Sequence, residues 1–185
     1  MFELMQPTHM PPITGLAVPR DFYWVLRHPA PLAGMPYPSP RTPWQDLAAA
    51  GFHHVVCLEG DGPAYDSFPL LVSHRTGLQD LYGGGSPRHP EREETLIREA
   101  TLAVVGQLRA GDGVVIHCAG GTGRTGTVIG CVLRGFGISA VEVITYLHHL
   151  NQARGRSGWP ESEWQSQVVQ RFPDAEEWRR ASAPV

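Results

Sequence analysis

A strand that runs directly into a glycine-rich turn and then into a helix constrains this chain more than any other feature. Residues 114–116 read Val-Val-Ile, a β-branched run of the kind that fills the middle of a sheet. Three glycines lie within residues 120–123, and a helical pattern begins at Arg124. Because glycine has no Cβ, successive backbone amides in such a turn can point toward one centre. The segment predicts an anion-binding turn at the end of a buried strand.

Strand and helix patterns alternate along most of the chain. Apolar and β-branched runs predict strands at residues 22–26, 32–35, 53–58, 68–74 and 114–116. Apolar residues three or four positions apart predict helices at residues 44–50, 91–110, 124–134, 140–150 and 160–172, and a last short helix from Asp174. This alternation is typical of an α/β fold, with a central, mostly parallel sheet flanked by helices.

Two helix starts carry the spacing of a capping box. Thr42 and Gln45 enclose a proline at the first helical position, and Ser139 with Glu142 repeats the pattern. Gly51 stands where the first of these helices is expected to end.

Proline is concentrated at the N-terminal side, where residues 1–43 hold ten of the 17 prolines. Proline lacks an amide donor and fixes φ, so we expect this segment to contain neither a long helix nor a central strand and to wrap the domain surface. The prediction is a proline-rich arm over residues 1–20 and a single domain over residues 21–185, a length that suits one core.

Composition excludes several classes of protein. With 15 basic and 18 acidic residues the formal net charge is −3, which argues against a nucleic-acid binder. Three cysteines are too few for a disulfide scaffold and favour a reducing compartment. Neither a signal peptide nor an apolar run of 18 residues is found. We therefore expect a cytoplasmic protein without a membrane span. Separately from composition, we expect a monomer with neither a metal nor a cofactor.

Cys118 and Arg124 enclose the turn at a spacing that suits anion chemistry. Oxygens of an anion would be bound by the amides of the turn, which are those of Ala119, Gly120, Gly121, Thr122 and Gly123. Arg124 adds a planar fork that grips two oxygens. A thiol beside a helix N-terminus and a cation ionises readily, so Cys118 is expected to be a thiolate. A thiolate beneath a phosphate-shaped turn is a nucleophile for phosphorus.

Other readings of the turn fit less well. Residues 121–126 match the G-x-G-x-x-G pattern of dinucleotide-binding turns, but the acidic residue that should end the next strand is replaced by Glu142 in a helical pattern. A phosphate-binding loop of the Walker type needs lysine at Arg124. A structural cysteine beside a tight turn explains neither the arginine nor its spacing.

Residues 117–125, His-Cys-Ala-Gly-Gly-Thr-Gly-Arg-Thr, resemble the H-C-x5-R-[ST] signature of the protein tyrosine phosphatase superfamily. The compact chain is most similar to its dual-specificity branch, especially the kinase-associated phosphatase subgroup, and a weaker similarity extends over residues 32–172. The resemblance implies the cysteine-dependent phosphatase fold.

The resemblance also implies a two-step mechanism. Cys118 attacks phosphorus and forms a phosphocysteine, while Arg124 and the turn amides bind the phosphoryl oxygens. Thr125 matches the residue whose hydroxyl stabilises the departing thiolate. His117 matches the residue that orders the loop and tunes the thiol, although it is also read as a strand-end histidine satisfied by the backbone.

The family's general acid is an aspartate on a mobile loop before the signature. Residues 79–87 resemble that loop, which makes Asp80 the candidate, and the glycines after it are candidate hinges. The 38 positions between Asp80 and Cys118 are somewhat more than the family suggests, so Asp61 and Asp66 stay open as alternatives.

Two further residues follow from the resemblance. Cys57 ends a strand expected beside the signature strand, where some members carry a cysteine that pairs with the nucleophile; its other reading is a small buried residue. Gln165 lies in a segment that often directs a glutamine at the site to position water. Cys131 is expected in the core.

The sequence thus predicts a phosphomonoester hydrolase, most simply a protein phosphatase for phosphotyrosine, phosphoserine or phosphothreonine. The turn contains no lysine, which relatives acting on phosphoinositides commonly place there. The alternatives are a phosphate-recognition module without turnover, a phosphatase for a lipid or small molecule, and sulfur or arsenate chemistry on the same C-x5-R loop.

Overall fold

The computed structural model describes residues 3–173, and a five-stranded sheet forms its centre. The strands are β1 (Tyr23–Leu26), β2 (Leu32–Met35), β3 (Phe52–Cys57), β4 (Leu71–Arg75) and β5 (Gly113–His117), in the spatial order β1-β2-β5-β3-β4. Only β1 and β2 pair antiparallel, and the other three pairings are parallel. The predicted α/β architecture with a mostly parallel sheet is confirmed.

Helices cover both faces of the sheet. They are α1 (Trp44–Ala49), α2 (Pro90–Ala110), α3 (Gly123–Gly135), α4 (Ala140–Ala153) and α5 (Glu163–Arg171), with a 3-10 turn at Pro7–His9. The helices α2 to α5 share one apolar core with the sheet, while α1 shares a smaller, aromatic core with its other face. The helix predicted from Asp174 lies outside the described residues. No helix within residues 3–173 is both long and apolar enough to span a membrane.

β5 lies in the middle of the sheet and ends at the candidate site. It is paired with β2 on one side and β3 on the other, and all five of its residues are buried. Residues 114–116 are therefore buried in the middle of the sheet, as their β-branched composition predicts. Its last residue, His117, is in register with Met35 on β2 and with Cys57 on β3.

The proline-rich segment departs from the prediction, because it supplies a central strand. β2 is paired on both sides, and its four residues are fully buried. Prolines stand just outside the strand, at Pro31 and Pro36, and none falls within it. Proline excludes ladder hydrogen bonds only at its own position, so the high local proline content did not exclude a short strand between two prolines.

The helix caps are only partly as predicted. The Ser139 hydroxyl accepts a hydrogen bond from the Glu142 amide, as expected. Thr42 does not cap α1: its Oγ1 accepts the Ser39 amide at 3.0 Å instead, and α1 has no side-chain cap. The strand predicted from residue 68 begins only at Leu71, because a turn closed by the Ser67 hydroxyl on the Leu70 carbonyl precedes it.

Candidate active site

The candidate site is a cavity of about 360 Å³ where β5 gives way to α3. Cys118, only 2% exposed, lies in its wall directly after β5. The lining comes from three further segments: the loop before α2, the start of α3, and the loop between α4 and α5. Its residues are Asp80, Tyr82, Cys118, Gly120, Thr122, Gly123, Arg124, Gly155, Arg156, Ser157, Gly158 and Glu161.

The carbonyl oxygens of the turn are held by donors that do not line the cavity. Ala119 O accepts the Tyr37 amide (3.0 Å), Gly121 O accepts Tyr23 Oη and Arg154 Nη1 (both 2.8 Å), Thr122 O accepts the Gly126 amide (2.8 Å), and Gly123 O accepts Trp159 Nε1 (3.2 Å) and Thr127 Oγ1 (2.8 Å). In a planar trans peptide the N–H of the next residue points the opposite way. The amides that these bonds turn toward the cavity are those of Gly120, Thr122, Gly123 and Arg124, and all four residues line it.

Glycine is required at Gly121 for two reasons. Its φ is +67°, in the left-handed region, and a Cβ there would overlap the backbone of Met35 on β2. The turn is therefore both curled and pressed against the sheet edge, which fixes the direction of its amides.

Tyr23 and Arg154 hold the turn from the side away from the cavity, a role that the sequence did not predict. The Arg154 guanidinium is buried, lies 4.1 Å from the centre of the Tyr23 ring and shares the Gly121 carbonyl with its hydroxyl. Asn151 Oδ1 accepts from the same guanidinium nitrogen at 2.6 Å. An arginine just after a helix looks like a solvent-exposed residue in sequence, so no local signal points to this role.

Arg124 lies at the start of α3 and is 6% exposed. Its Nη1 is 2.9 Å from Glu59 Oε2, and its Nη2 is 3.0 Å from Asp80 Oδ2. Nη1 also donates to the Leu78 carbonyl. Glu59 was not predicted; it follows β3, whose carboxyl end meets that of β5 in the parallel sheet. The two carboxylates thereby hold the guanidinium in the cavity wall and set the orientation of its two terminal nitrogens.

Of the three aspartates considered, the structure brings only Asp80 to the cavity. Its side chain is 54% exposed, pairs with Arg124 and accepts the Tyr82 amide at 3.0 Å. Asp66 instead closes a local turn by accepting the Phe68 amide at 2.9 Å. Asp61 is exposed on the connection between β3 and β4 and does not line the cavity.

His117 faces away from the cavity into an aromatic cluster. Its Nε2 is 2.6 Å from Tyr65 Oη, and the Tyr37 ring meets it edge-on. Burial lowers the pKa of His117 to about 4, the Cys118 backbone opposes this shift, and Arg75 adds to it. The imidazole is therefore neutral at neutral pH, and its hydrogen bond to Tyr65 ties the end of β5 to the connection between β3 and β4. Tyr65 is another residue that the sequence analysis missed.

Thr125 and the two other cysteines occupy different surroundings. Thr125 is fully buried in the first turn of α3, and among the described residues its hydroxyl has no hydrogen-bond partner. Cys57 on β3 is in register with His117, the residue before Cys118. The Cys57 thiol donates to the Glu59 carbonyl at 3.3 Å. Cys57 and Cys118 form no disulfide with each other. Cys131 is buried in α3, and burial raises the pKa of its thiol.

Gln165 is 2% exposed, and its amide oxygen is already used by the backbone. Oε1 accepts the amides of Glu161 (2.9 Å) and Ser162 (3.2 Å), which completes a capping box at the start of α5. The side chain of this segment that lines the cavity is instead Glu161. Burial raises the pKa of Glu161, Asp80 raises it further, and Arg124, the Gly123 amide and Arg156 oppose the rise.

Comparisons with known proteins concern the family and the fold. The family model PTP-SAK, described as "Swiss Army Knife protein, DSP-PTPase phosphatase domain", matches residues 19–162, more than half of the chain. The crystal structure of Tk-PTP in the active form is similar with 24% identity and a TM-score of 0.56, over 78% of this chain and 91% of that one.

Two further solved structures share the fold. The core catalytic domain of the PP-IP phosphatase SIW14 from S. cerevisiae, in complex with citrate, has 18% identity and a TM-score of 0.56, over 82% of this chain and 86% of that one. A form of the kinase associated phosphatase KAP whose catalytic cysteine is replaced by serine has 19% identity and a TM-score of 0.52, over 83% and 88%.

Proposed function

Because this chain belongs to the DSP-PTPase phosphatase domain family, we propose that it hydrolyses phosphomonoesters on proteins, at phosphotyrosine, phosphoserine or phosphothreonine, through a phosphocysteine intermediate. The observation that carries the proposal is the position of Cys118 in a cavity walled by turn amides and by Arg124. A thiol, oriented amides and a planar cation are what transfer of a phosphoryl group to sulfur needs.

In the first step the Cys118 thiolate attacks phosphorus, so that the S–P bond forms while the P–O bond to the leaving group breaks. The amides of the turn and Arg124 bind the three other phosphoryl oxygens, on which charge spreads in the transition state. Asp80 gives its proton to the leaving oxygen. Its distance from Arg124 supports this role, since the guanidinium holds the carboxyl beside the place where the phosphoryl group binds.

In the second step a water molecule attacks phosphorus, the S–P bond breaks and its electron pair returns to Cys118. Asp80, now ionised, takes the proton of the water. The Thr125 hydroxyl is buried without another partner in residues 3–173, which leaves it able to donate to the departing thiolate. His117, held neutral between the sheet and Tyr65, is proposed as a positioning residue.

Charge in the cavity wall supports a protein substrate. Two arginines, Arg124 and Arg156, are balanced by two carboxylates, Asp80 and Glu161. Such a wall accommodates one phosphoryl group better than several. Tyr82, exposed at the rim, offers a ring against which a peptide chain can pack.

A small-molecule or lipid phosphate is the second candidate, and Arg156 is the observation that favours it. Its exposed side chain lines the cavity and is available to a second anionic group of a substrate. Comparing kcat/KM for tyrosine- and serine-phosphorylated peptides with that for inositol pyrophosphates and phosphoinositide vesicles separates the two. If the small-molecule or lipid candidate is right, Arg156→Gln lowers kcat/KM for the inositol pyrophosphates and phosphoinositides but not for the phosphopeptides.

Hydrolysis of p-nitrophenyl phosphate tests the mechanism itself. Cys118→Ser abolishes turnover, whereas the matched variant Cys131→Ser, which alters a buried cysteine of α3, retains it. Full turnover by Cys118→Ser overturns the proposal. Binding of phosphopeptide without turnover by the unaltered protein identifies a phosphate-recognition module instead.

A further inference from the structure

Glu161 reaches the phosphate-binding turn from the loop before α5. It lines the cavity together with Cys118 and Arg124. A methyl group added at Gly123 would overlap Glu161 Oε2, and the Gly123 amide opposes the rise that burial causes in the pKa of Glu161. Gly123 is one of the residues whose amides face the cavity. A side-chain carboxylate therefore lies beside an amide that an oxyanion would use.

The segment around Glu161 is anchored to the same turn. Trp159 Nε1 donates to the Gly123 carbonyl at 3.2 Å, and Gln165 Oε1 accepts the Glu161 amide at 2.9 Å. The N-cap residue of α3, Thr122, makes no side-chain capping bond. Glu161 thus places a carboxylate near the positive end of α3.

We propose that Glu161 controls anion binding at the phosphate-binding turn: its ionised carboxylate competes with the incoming oxyanion, and a doubly charged oxyanion binds with uptake of one proton by Glu161. The inference rests on the proposed function for its biological meaning, because it concerns the same turn. A carboxylate and a dianion on neighbouring amides repel each other, whereas a protonated Glu161 can donate a hydrogen bond to an anion oxygen.

Charged or titratable groups from several elements lie near Glu161. Asp80 comes from the loop before α2, Arg124 from α3, Arg156 from the loop after α4, Cys118 from the end of β5, and the buried Tyr23 from β1. Asp80 and an ionised Cys118 favour the protonated form of Glu161, and the two arginines favour its ionised form. An anion that arrives in the turn adds to the first group, so its binding and the protonation of Glu161 are linked.

Sulfate is the probe that isolates this linkage, because it stays a dianion at and above mildly acidic pH. Its dissociation constant is measured by calorimetry across about pH 5 to 8 in a Cys118→Ser background, which removes the thiol titration. With Glu161 present, the dissociation constant rises by up to about tenfold per pH unit above the pKa of this residue. With Glu161→Gln added, sulfate binds more tightly at neutral pH and this rise is lost.

Glu163→Gln is the matched control, since this glutamate lies two residues further on in the first turn of α5 and outside the cavity. In this control variant, the sulfate dissociation constant keeps its full pH dependence. Glu161→Asp shortens the side chain by one methylene and moves the carboxylate away from the turn, so we expect an intermediate pH slope of the sulfate dissociation constant. This variant also tests the inference if Glu161→Gln does not fold.

An unchanged slope in both Glu161 variants overturns the inference and leaves the proposed function standing. Absence of sulfate binding in all variants at every pH overturns the inference and the phosphate-binding turn of the proposed function together. Absence of phosphatase activity in the protein with Cys118 intact, with the Glu161-dependent slope present in the Cys118→Ser series, counts against the proposed function only.

Discussion

Asp80 Oδ2 lies 3.0 Å from Arg124 Nη2, across 44 residues of sequence. The other terminal nitrogen of the same guanidinium pairs with Glu59 at 2.9 Å. Arg124 therefore joins the loop that carries the proposed acid to the turn that carries the proposed nucleophile. If a phosphoryl group binds to the two terminal nitrogens of Arg124, its ester oxygen lies beside Asp80.

Asp80→Asn tests this arrangement. Because the amide cannot give a proton to the leaving group, we expect kcat to fall by about 10²- to 10⁴-fold on a phosphoserine peptide, whose alkoxide needs protonation. The loss on p-nitrophenyl phosphate is smaller, since its leaving group is a weak base. Asp66→Asn is the control, because Asp66 only closes a local turn. Equal losses in the two variants on both substrates would assign the acid elsewhere.

Tyr23→Phe tests whether the direction of the turn amides matters. The variant removes one of the two donors to the Gly121 carbonyl. We expect a loss of about 1 kcal/mol in the free energy of unfolding and a fall of about fivefold to tenfold in kcat/KM. Tyr146→Phe deletes a buried hydroxyl that bonds Met5 and Trp24 instead. It costs similar stability but leaves kcat/KM unchanged; a matching fall there would mean that the effect is general.

The local signal of the signature explains why Cys118, Arg124 and the central strand were predictable. A β-branched run, three glycines and a helix start lie within a few residues, so short-range rules apply to all of them. Asp80 was predictable because glycines and a resemblance mark its loop. The residues that hold the turn, Tyr23 and Arg154, come from distant elements, and their burial is created only by tertiary packing.

Sequence alone did not show which atoms of one segment would lie at the turn. The Gln165 amide oxygen caps α5 while its Nε2 lies close to Gly123, and Glu161, four residues earlier, lines the cavity. Serine followed by glutamine at capping-box spacing, Ser162 and Gln165, was present in the sequence and predicts this outcome. The helix start therefore could have been placed from sequence, whereas the direction of Glu161 depends on the packing of Trp159 against α3.

His117 predicts a pH dependence of stability. Burial lowers its pKa from 6.5 to about 4, so between these values the unfolded chain binds a proton that the folded chain does not. The free energy of unfolding therefore falls as the pH drops through this window, by up to about 3 kcal/mol. His117→Asn loses this contribution, as urea unfolding at several pH values will show. The exposed His9→Asn keeps it, and identical pH slopes for His117→Asn and the unaltered protein would contradict the assignment.

Trapping the covalent intermediate tests the central claim most directly. Phosphorylated substrate is mixed with the protein, quenched in acid within milliseconds and digested, and the peptides are analysed by mass spectrometry. We predict one phosphoryl group on Cys118, formed faster than it is hydrolysed when the leaving group is good, and none on any peptide of Cys118→Ser. Turnover without a phosphoryl group on Cys118, or a phosphoryl group on a different residue, would contradict the mechanism.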